Sequence, residues 1–273
     1  MPFFTRILNF PRAVLARLRD QRQQARFRVG ADFPLTATVD ISGNGNLPPD
    51  AAGSRGPDGD WEGRVSDVSA QGLSVRLLKS AANPRLKATL VRITVDGREL
   101  AIPCTVAHFR VLSTHARYGL RLEFDDFTVQ KAWHQIVEAV SLGASFALVG
   151  ENRRPRVSLG LARRQWRSLN QARLTEWRET GSRKLDRFEL IMEGHSVAGR
   201  VDEPGVVIRT VSGGKVAPVV ETEMRRLVHW VTANMPAIVP FDLRVVMRRA
   251  AIPIPPPPAS HSPMTIMPFP PPD

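Results

Sequence analysis

The sequence predicts a mainly β fold: a six-stranded antiparallel barrel with a helix packed on its end, followed by a small α+β unit. Three observations predict it. Between about residues 33 and 125, short runs of alternating apolar residues are separated by turn residues. Asp96-Gly97 lies between two such runs within 90–112, a strong hairpin signal because both residues tolerate a left-handed backbone. At residue 127 the apolar period changes from two to helical, with Val129, Trp133, Ile136 and Val140 along one face.

The elements follow in order. Residues 34–39 alternate as a strand, and the Gly/Pro/Asn/Asp-rich stretch 42–60 reads as a long loop. WEGRVSDVS and GLSVRL (72–77) are the next two strands, 90–112 supplies the hairpin, and YGLRLEF (118–124) closes the set. Six short strands of even spacing suit a small closed barrel. The helix is expected over 127–141, with Asp125-Asp126 capping its N-terminus. Residues 142–184 carry Arg153, Arg154, Arg156, Arg163, Arg164, Arg167, Arg173, Arg178 and Arg183 with Trp166 and Trp177 interleaved. Basic residues among aromatics can mark nucleic-acid contact. No known binding motif organises them, so the stretch reads as a partly helical linker wrapping the barrel, and nucleic acid is not the expected partner.

Residues 185–249 read as the small α+β unit. FELIME, SVAGRV and VVIRTV are strands, VVETEMRRLVHWV is a helix with Val220, Met224, Leu227 and Val231 inward, and FDLRVVM is a last strand. The tail 250–273 holds ten of the 23 prolines and is expected to be extended and disordered. At the other end, residues 1–21 form a basic amphipathic lead, with Phe10, Val14 and Leu18 at four-residue steps. Such a helix either docks on another domain or subunit or lies on an anionic membrane as a peripheral contact. Residues 1–30 contain seven Arg and one Asp, half of the chain's formal net charge of +12.

Composition excludes some classes. A pI near 11.2 points to polyanionic partners: nucleotides, nucleic acid or an anionic membrane face. The single cysteine, Cys104, rules out a disulfide within the chain and suits a reducing, cytoplasmic compartment; its place in an alternating run makes it a buried strand residue. No stretch is long and apolar enough for a transmembrane helix, and the N-terminal apolar run, broken by Arg6 and Pro11, is not a signal peptide. The histidines at 108, 115, 134, 195, 229 and 261 have no metal-ligand spacing. There is no G-x-S-x-G elbow, and Gly213-Gly214-Lys215 lacks the rest of a P-loop. The chain is therefore read as a non-enzyme without cofactor or metal.

Two pieces carry chemistry. One is the cluster Arg22, Arg26 and Arg28 just before the first strand; the other is the turn Asp67-Val68-Ser69-Ala70-Gln71-Gly72 between two strands. Arginine forks onto phosphate oxygens, pairs with the O6 and N7 edge of guanine, or stacks on the base. Several arginines on a flexible lead can thus wrap a dinucleotide, while Asp67 and Ser69 on a tight turn meet the remaining donors of guanine. Gly72 lets the backbone turn without a clashing side chain.

Arg22 and Arg26 in R-x-x-x-R spacing, a linker to Pro34, a strand, and the D-x-S-x-x-G of Asp67, Ser69 and Gly72 resemble the PilZ family over about residues 22–141. The resemblance implies a PilZ-type barrel and cyclic di-GMP as ligand, bound by Arg22, Arg26, Arg28, Asp67, Ser69 and Gly72. It admits two registers. In one the arginine pair is Arg22/Arg26; in the other Arg28, six residues before Pro34, is the second arginine and Gln24 stands in place of the first. The basic lead, the helix and the run VSLGASFALVGENRRPR are similar to the C-terminal regulatory region of bacterial cellulose synthase catalytic subunits. That likeness implies a detached regulatory module acting on a protein partner such as a membrane polysaccharide synthase complex, in exopolysaccharide synthesis or motility. The alternative reading is a degenerate PilZ scaffold that binds protein partners without nucleotide.

Overall fold

The computed structural model describes residues 25–42, 60–81, 87–149, 156–203 and 205–252. The expected basic lead at 1–21, Arg22, most of the loop at 42–60 and the tail beyond 252 lie outside these residues.

The first half of the chain is the expected barrel. Its strands are β1 (Phe27–Arg28), β2 (Leu35–Ser42), β3 (Asp60–Ser69), β4 (Gly72–Leu78), β5 (Lys87–Val95), β6 (Arg98–Val111) and β7 (His115–Leu122). The order β1-β3-β2-β5-β6-β7-β4, with β4 pairing back onto β3, closes β2 to β7 into a six-stranded antiparallel barrel. Alternation decides what fills it: Val65, Val75, Val91, Ile93, Ile102 and Tyr118 all point inward at 2% exposure or less. Asp96 and Gly97 sit at φ 48° and 72°, the left-handed pair that a two-residue hairpin between β5 and β6 requires. β3 is long enough to take two partners along one edge: β2 over residues 60–64, then β1 at Asp67–Val68.

The period change at 127 is a helix, α1 (Phe127–Ala144), three residues longer than expected. Asp126 caps it, its Oδ1 accepting the Thr128 N–H at 2.6 Å. Trp133, Ile136, Val137 and Val140 seat it on the barrel core, while Leu142 near its end belongs to a second core.

That second core corrects the expected layout. Residues 142–184 are not a helical linker. They contain β8 (Ala147–Leu148), β9 (Arg156–Ser158), β10 (Leu161–Arg167) and β11 (Arg173–Glu179). These continue into β12 (Leu185–Met192), β13 (His195–Arg200) and β14 (Val207–Thr210), forming one antiparallel sheet in the order β14-β13-β12-β11-β10-β8, with β9 also on β10. The strands were hidden because their inward positions are not all apolar: Glu176 of β11 points into the core at 0% exposure. Helices α2 (Pro218–Ala233) and α3 (Phe241–Ala251) lie over one face of this sheet, against Trp166, Leu174, Phe188, Leu190, Val197 and Ile208.

FDLRVVM is part of α3, not a strand. Phe241, Leu243, Val245 and Met247 alternate, which suits a strand, but Leu243, Met247, Ala250 and Ala251 also lie on one helical face and are the ones buried. Phe241 and Val245 are left 73% and 46% exposed. Ala250 and Ala251, expected to open a disordered tail, are buried residues of this helix.

The two halves meet along a seam. α2 contributes Trp230 and Ala233 to the barrel core, and Met224, Val228 and Val231 to the second. The excursion between β1 and β2 rests on its end. Gly30 N–H donates to Asn234 Oδ1 at 2.8 Å, Phe33 meets the Trp230 ring edge-on at 6.0 Å, and Asp32 pairs with Arg248 at 3.0 Å. The Trp230 Nε1–H donates to Asp96 in the β5–β6 turn at 2.5 Å.

Candidate functional site

Strand alternation builds the site. Phe27 packs against the barrel core and Val29 is buried, so Arg26 and Arg28 between and beside them face outward. The register of β1 on β3 places Arg28 opposite Asp67 and Phe27 opposite Val68. Arg26, 57% exposed, brings a guanidinium nitrogen to 4.0 Å from Asp67 Oδ1.

Asp67 is 14% exposed at its side chain and well held. The Ser66 hydroxyl donates to its Oδ2 at 2.9 Å, and the Arg117 guanidinium hydrogen-bonds to the same oxygen. Arg117 comes from β7 and reaches across the outside of β4. The residues beside that path, Ser74 and Gly119, are paired neighbours with small or no side chains. Burial raises the Asp67 pKa, but the hydroxyls of Ser66 and Ser74 and the charge and hydrogen bond of Arg117 more than offset it; the carboxyl is held below its ordinary value. It is a carboxylate with one hydrogen-bonded cation on one side and an exposed arginine 4.0 Å away on the other.

The rest of the turn is structural in its contacts. The Ser69 hydroxyl donates to the Gly72 carbonyl at 3.1 Å, and the Ser69 carbonyl accepts the Trp133 indole N–H at 3.1 Å, which fixes the turn on α1. Gly72 is needed for closeness, not for a left-handed turn: a Cβ there would sit 2.5 Å from the Leu120 carbonyl oxygen. The structure thus brings Arg26, Arg28 and Asp67 to one place, with Ser69 and Gly72 at the adjoining turn. Arg22 lies outside the described residues.

Sequence reasoning missed Arg117, which belongs to neither motif; its place at an outward position of β7 was the only signal. It also missed His108. Its ring lies against Gly119 in the same cross-strand row as Ser74, where a Cβ on Gly119 would come within 1.8 Å of it. Among the described residues no cluster of His, Cys, Asp or Glu could hold a metal ion.

The arrangement is suited to holding an anion with guanine-like donors: exposed guanidinium groups for phosphate, and a carboxylate to accept N–H groups of a base. It belongs to a six-stranded barrel preceded by an arginine-bearing segment. The PilZ domain family model matches residues 10–140, just under half of the chain, and this part of the protein is a PilZ domain. No curated protein matches the sequence. Among solved structures the chain is similar to the PlzA protein of Borreliella burgdorferi in complex with c-di-GMP, at 11% identity and a TM-score of 0.28, over 81% of this chain and 97% of that one. A likeness so distant carries no argument about the site.

Proposed function

We propose that the protein is a non-catalytic receptor for cyclic di-GMP, held between the arginines of the lead and the face of Asp67, Ser69 and Gly72. The observation that carries this reading is the pairing of β1 with β3, which sets Arg28 opposite Asp67 and brings Arg26 within 4.0 Å of it. The two motifs are separate in sequence, and strand register makes them one surface. The PilZ family match supplies the ligand class. Among the described residues no helix is long and apolar enough to cross a membrane. The receptor would act from the cytoplasmic side through a protein partner such as a membrane polysaccharide synthase complex, with residues 1–21 as a peripheral membrane contact.

Calorimetry on the full chain tests the reading. Cyclic di-GMP binds, and Arg28→Ala weakens it by about ten- to a hundredfold, as expected for charge-assisted contacts of roughly 1.5–3 kcal/mol. Asp67→Ala reduces discrimination against the adenine analogue. Arg22→Ala decides between the registers: an effect equal to that of Arg26→Ala supports the Arg22/Arg26 pair, and a small one supports Gln24/Arg28. Absence of binding at high micromolar ligand replaces the receptor with a scaffold that binds only proteins.

A further inference from the structure

The arginine-rich stretch has no part in the nucleotide site, and the fold gives it a different position. Strand register divides its side chains between two faces. On the helix-facing side Arg164 lies opposite Glu176, and Arg178 pairs with Glu176 at 2.8 Å and forks onto both oxygens of Asp242 at 2.7 and 2.8 Å. Among the described residues no helix covers the other face. Across it run two cross-strand rows: Arg163, Trp177 and Arg187 in one, Arg167, Arg173, Ile191, Ser196 and Arg209 in the other.

Charge on this open face is unbalanced. Among the described residues no carboxylate lies within ion-pair distance of Arg163, Arg167, Arg173 or Arg209, whereas Arg200 at the edge is paired with Asp186, Asp202 and Glu203. Arg167 and Arg173 sit directly opposite each other, a like-charge pair that costs stability in a ladder. The Nε–H of Arg173 is buried without an acceptor. The Arg187 guanidinium lies 4.9 Å over the Trp177 ring.

We propose that this face binds single-stranded nucleic acid, with phosphates on Arg163, Arg167, Arg173 and Arg209 and a base stacked at Trp177. Arginines that track a backbone beside an aromatic platform are the recurring design for such strands. Between the two rows lie Gln165 and Glu189, half-buried groups that hydrogen-bond base edges, with Thr175 buried beneath them. Apart from Trp177 and Ile191 the side chains of these rows are polar, which favours a nucleic acid over a lipid surface. The face lies outside the matched PilZ domain, so this inference stands apart from the cyclic di-GMP reading.

The test is fluorescence anisotropy of labelled single-stranded 20-mers, DNA and RNA, with the full chain across a salt series. Arg163→Glu/Arg167→Glu/Arg209→Glu alters only exposed side chains and is expected to bind at least tenfold more weakly. Its slope of log affinity against log salt should fall by about 2, for three phosphate contacts at roughly 0.7 each. Trp177→Leu weakens binding at least fivefold and Trp177→Phe restores it. An unchanged melting temperature and unchanged cyclic di-GMP calorimetry in the triple variant show that only this face was altered. No binding by the native chain at tens of micromolar in low salt overturns the proposal. So does a triple variant within twofold of the native chain, or anionic phosphatidylserine vesicles that bind through these arginines while the oligonucleotides do not.

Discussion

Asn234 is the residue on which the seam between the two halves can be tested. It is 5% exposed, accepts the Gly30 N–H at 2.8 Å, and donates from Nδ2 to the Trp230 carbonyl at 2.8 Å. Asn234→Ala removes both bonds. The Gly30 N–H is then left facing the end of α2, where a Cβ on Gly30 would lie 2.2 Å from the Ala233 carbonyl oxygen. A part-buried donor left unmatched costs about 1–3 kcal/mol, and the second bond adds about 1 kcal/mol, for a total of about 2–4 kcal/mol. With an m-value near 3 kcal/mol/M, the urea midpoint drops by about 1 M. Tryptophan fluorescence reads it directly, since Trp230 lies at the seam. Gly30→Ala is a second route to the same end, because backbone would meet backbone and the seam must open. If both variants unfold within about 0.2 M of the native chain, the seam is not a stabilising contact and the reasoning fails.

Three further outcomes are expected. Arg178→Ala strands Glu176, fully buried, without its cation, and should cost about 3–5 kcal/mol in urea unfolding; a loss below about 1 kcal/mol contradicts the pairing. Cys104 is buried and its thiol pKa is pushed up to about 12, so iodoacetamide at pH 8 should label it only as the protein unfolds; rapid labelling of the native protein would falsify that placement. The Asp67 carboxyl titrates lower in the fold than in the unfolded chain, so its contribution is present above about pH 4 and is lost as pH falls through the folded value. Asp67→Asn should therefore flatten the acid limb of the stability curve, and an unchanged limb would show that the carboxylate is not held.

The barrel was legible because its signals are local and mutually consistent. Asp96-Gly97 needs two left-handed residues, the inward residues of β4 and β7 alternate without interruption, and Val129, Trp133, Ile136 and Val140 leave no period but the helical one. The second sheet was legible only in part: FELIME, SVAGRV and VVIRTV read as strands, but β8 to β11 do not, because the core there is partly ionic. Glu176 occupies an inward position that a pattern reader expects to be apolar; its partner is Arg178 on β11, which in turn pairs with Asp242 on α3. Only the tertiary fold explains that trio. The same holds at the site. Asp67 and the arginines were found from motif spacing, but Arg117 reaches Asp67 from fifty residues away through cross-strand geometry that no local pattern records.

The segment from Arg26 to Phe33 connects these two kinds of structure. Arg26 and Arg28 face the candidate site, Phe27 and Val29 enter the barrel core, and Gly30, Asp32 and Phe33 engage α2 and α3. Only one residue, Val29, separates Arg28 from the Gly30 N–H that Asn234 holds, and Val29 itself donates to the Ser66 carbonyl at 3.0 Å. The chain there has no slack, since consecutive Cα atoms are a fixed 3.8 Å or so apart. Any shift of the Arg28 backbone must be absorbed by those two hydrogen bonds or passed to the end of α2. Arg26, which precedes the paired strand and is 57% exposed, carries no such constraint. The two arginines therefore differ in kind: one lies in the paired strand that leads into the seam, and the other lies ahead of it.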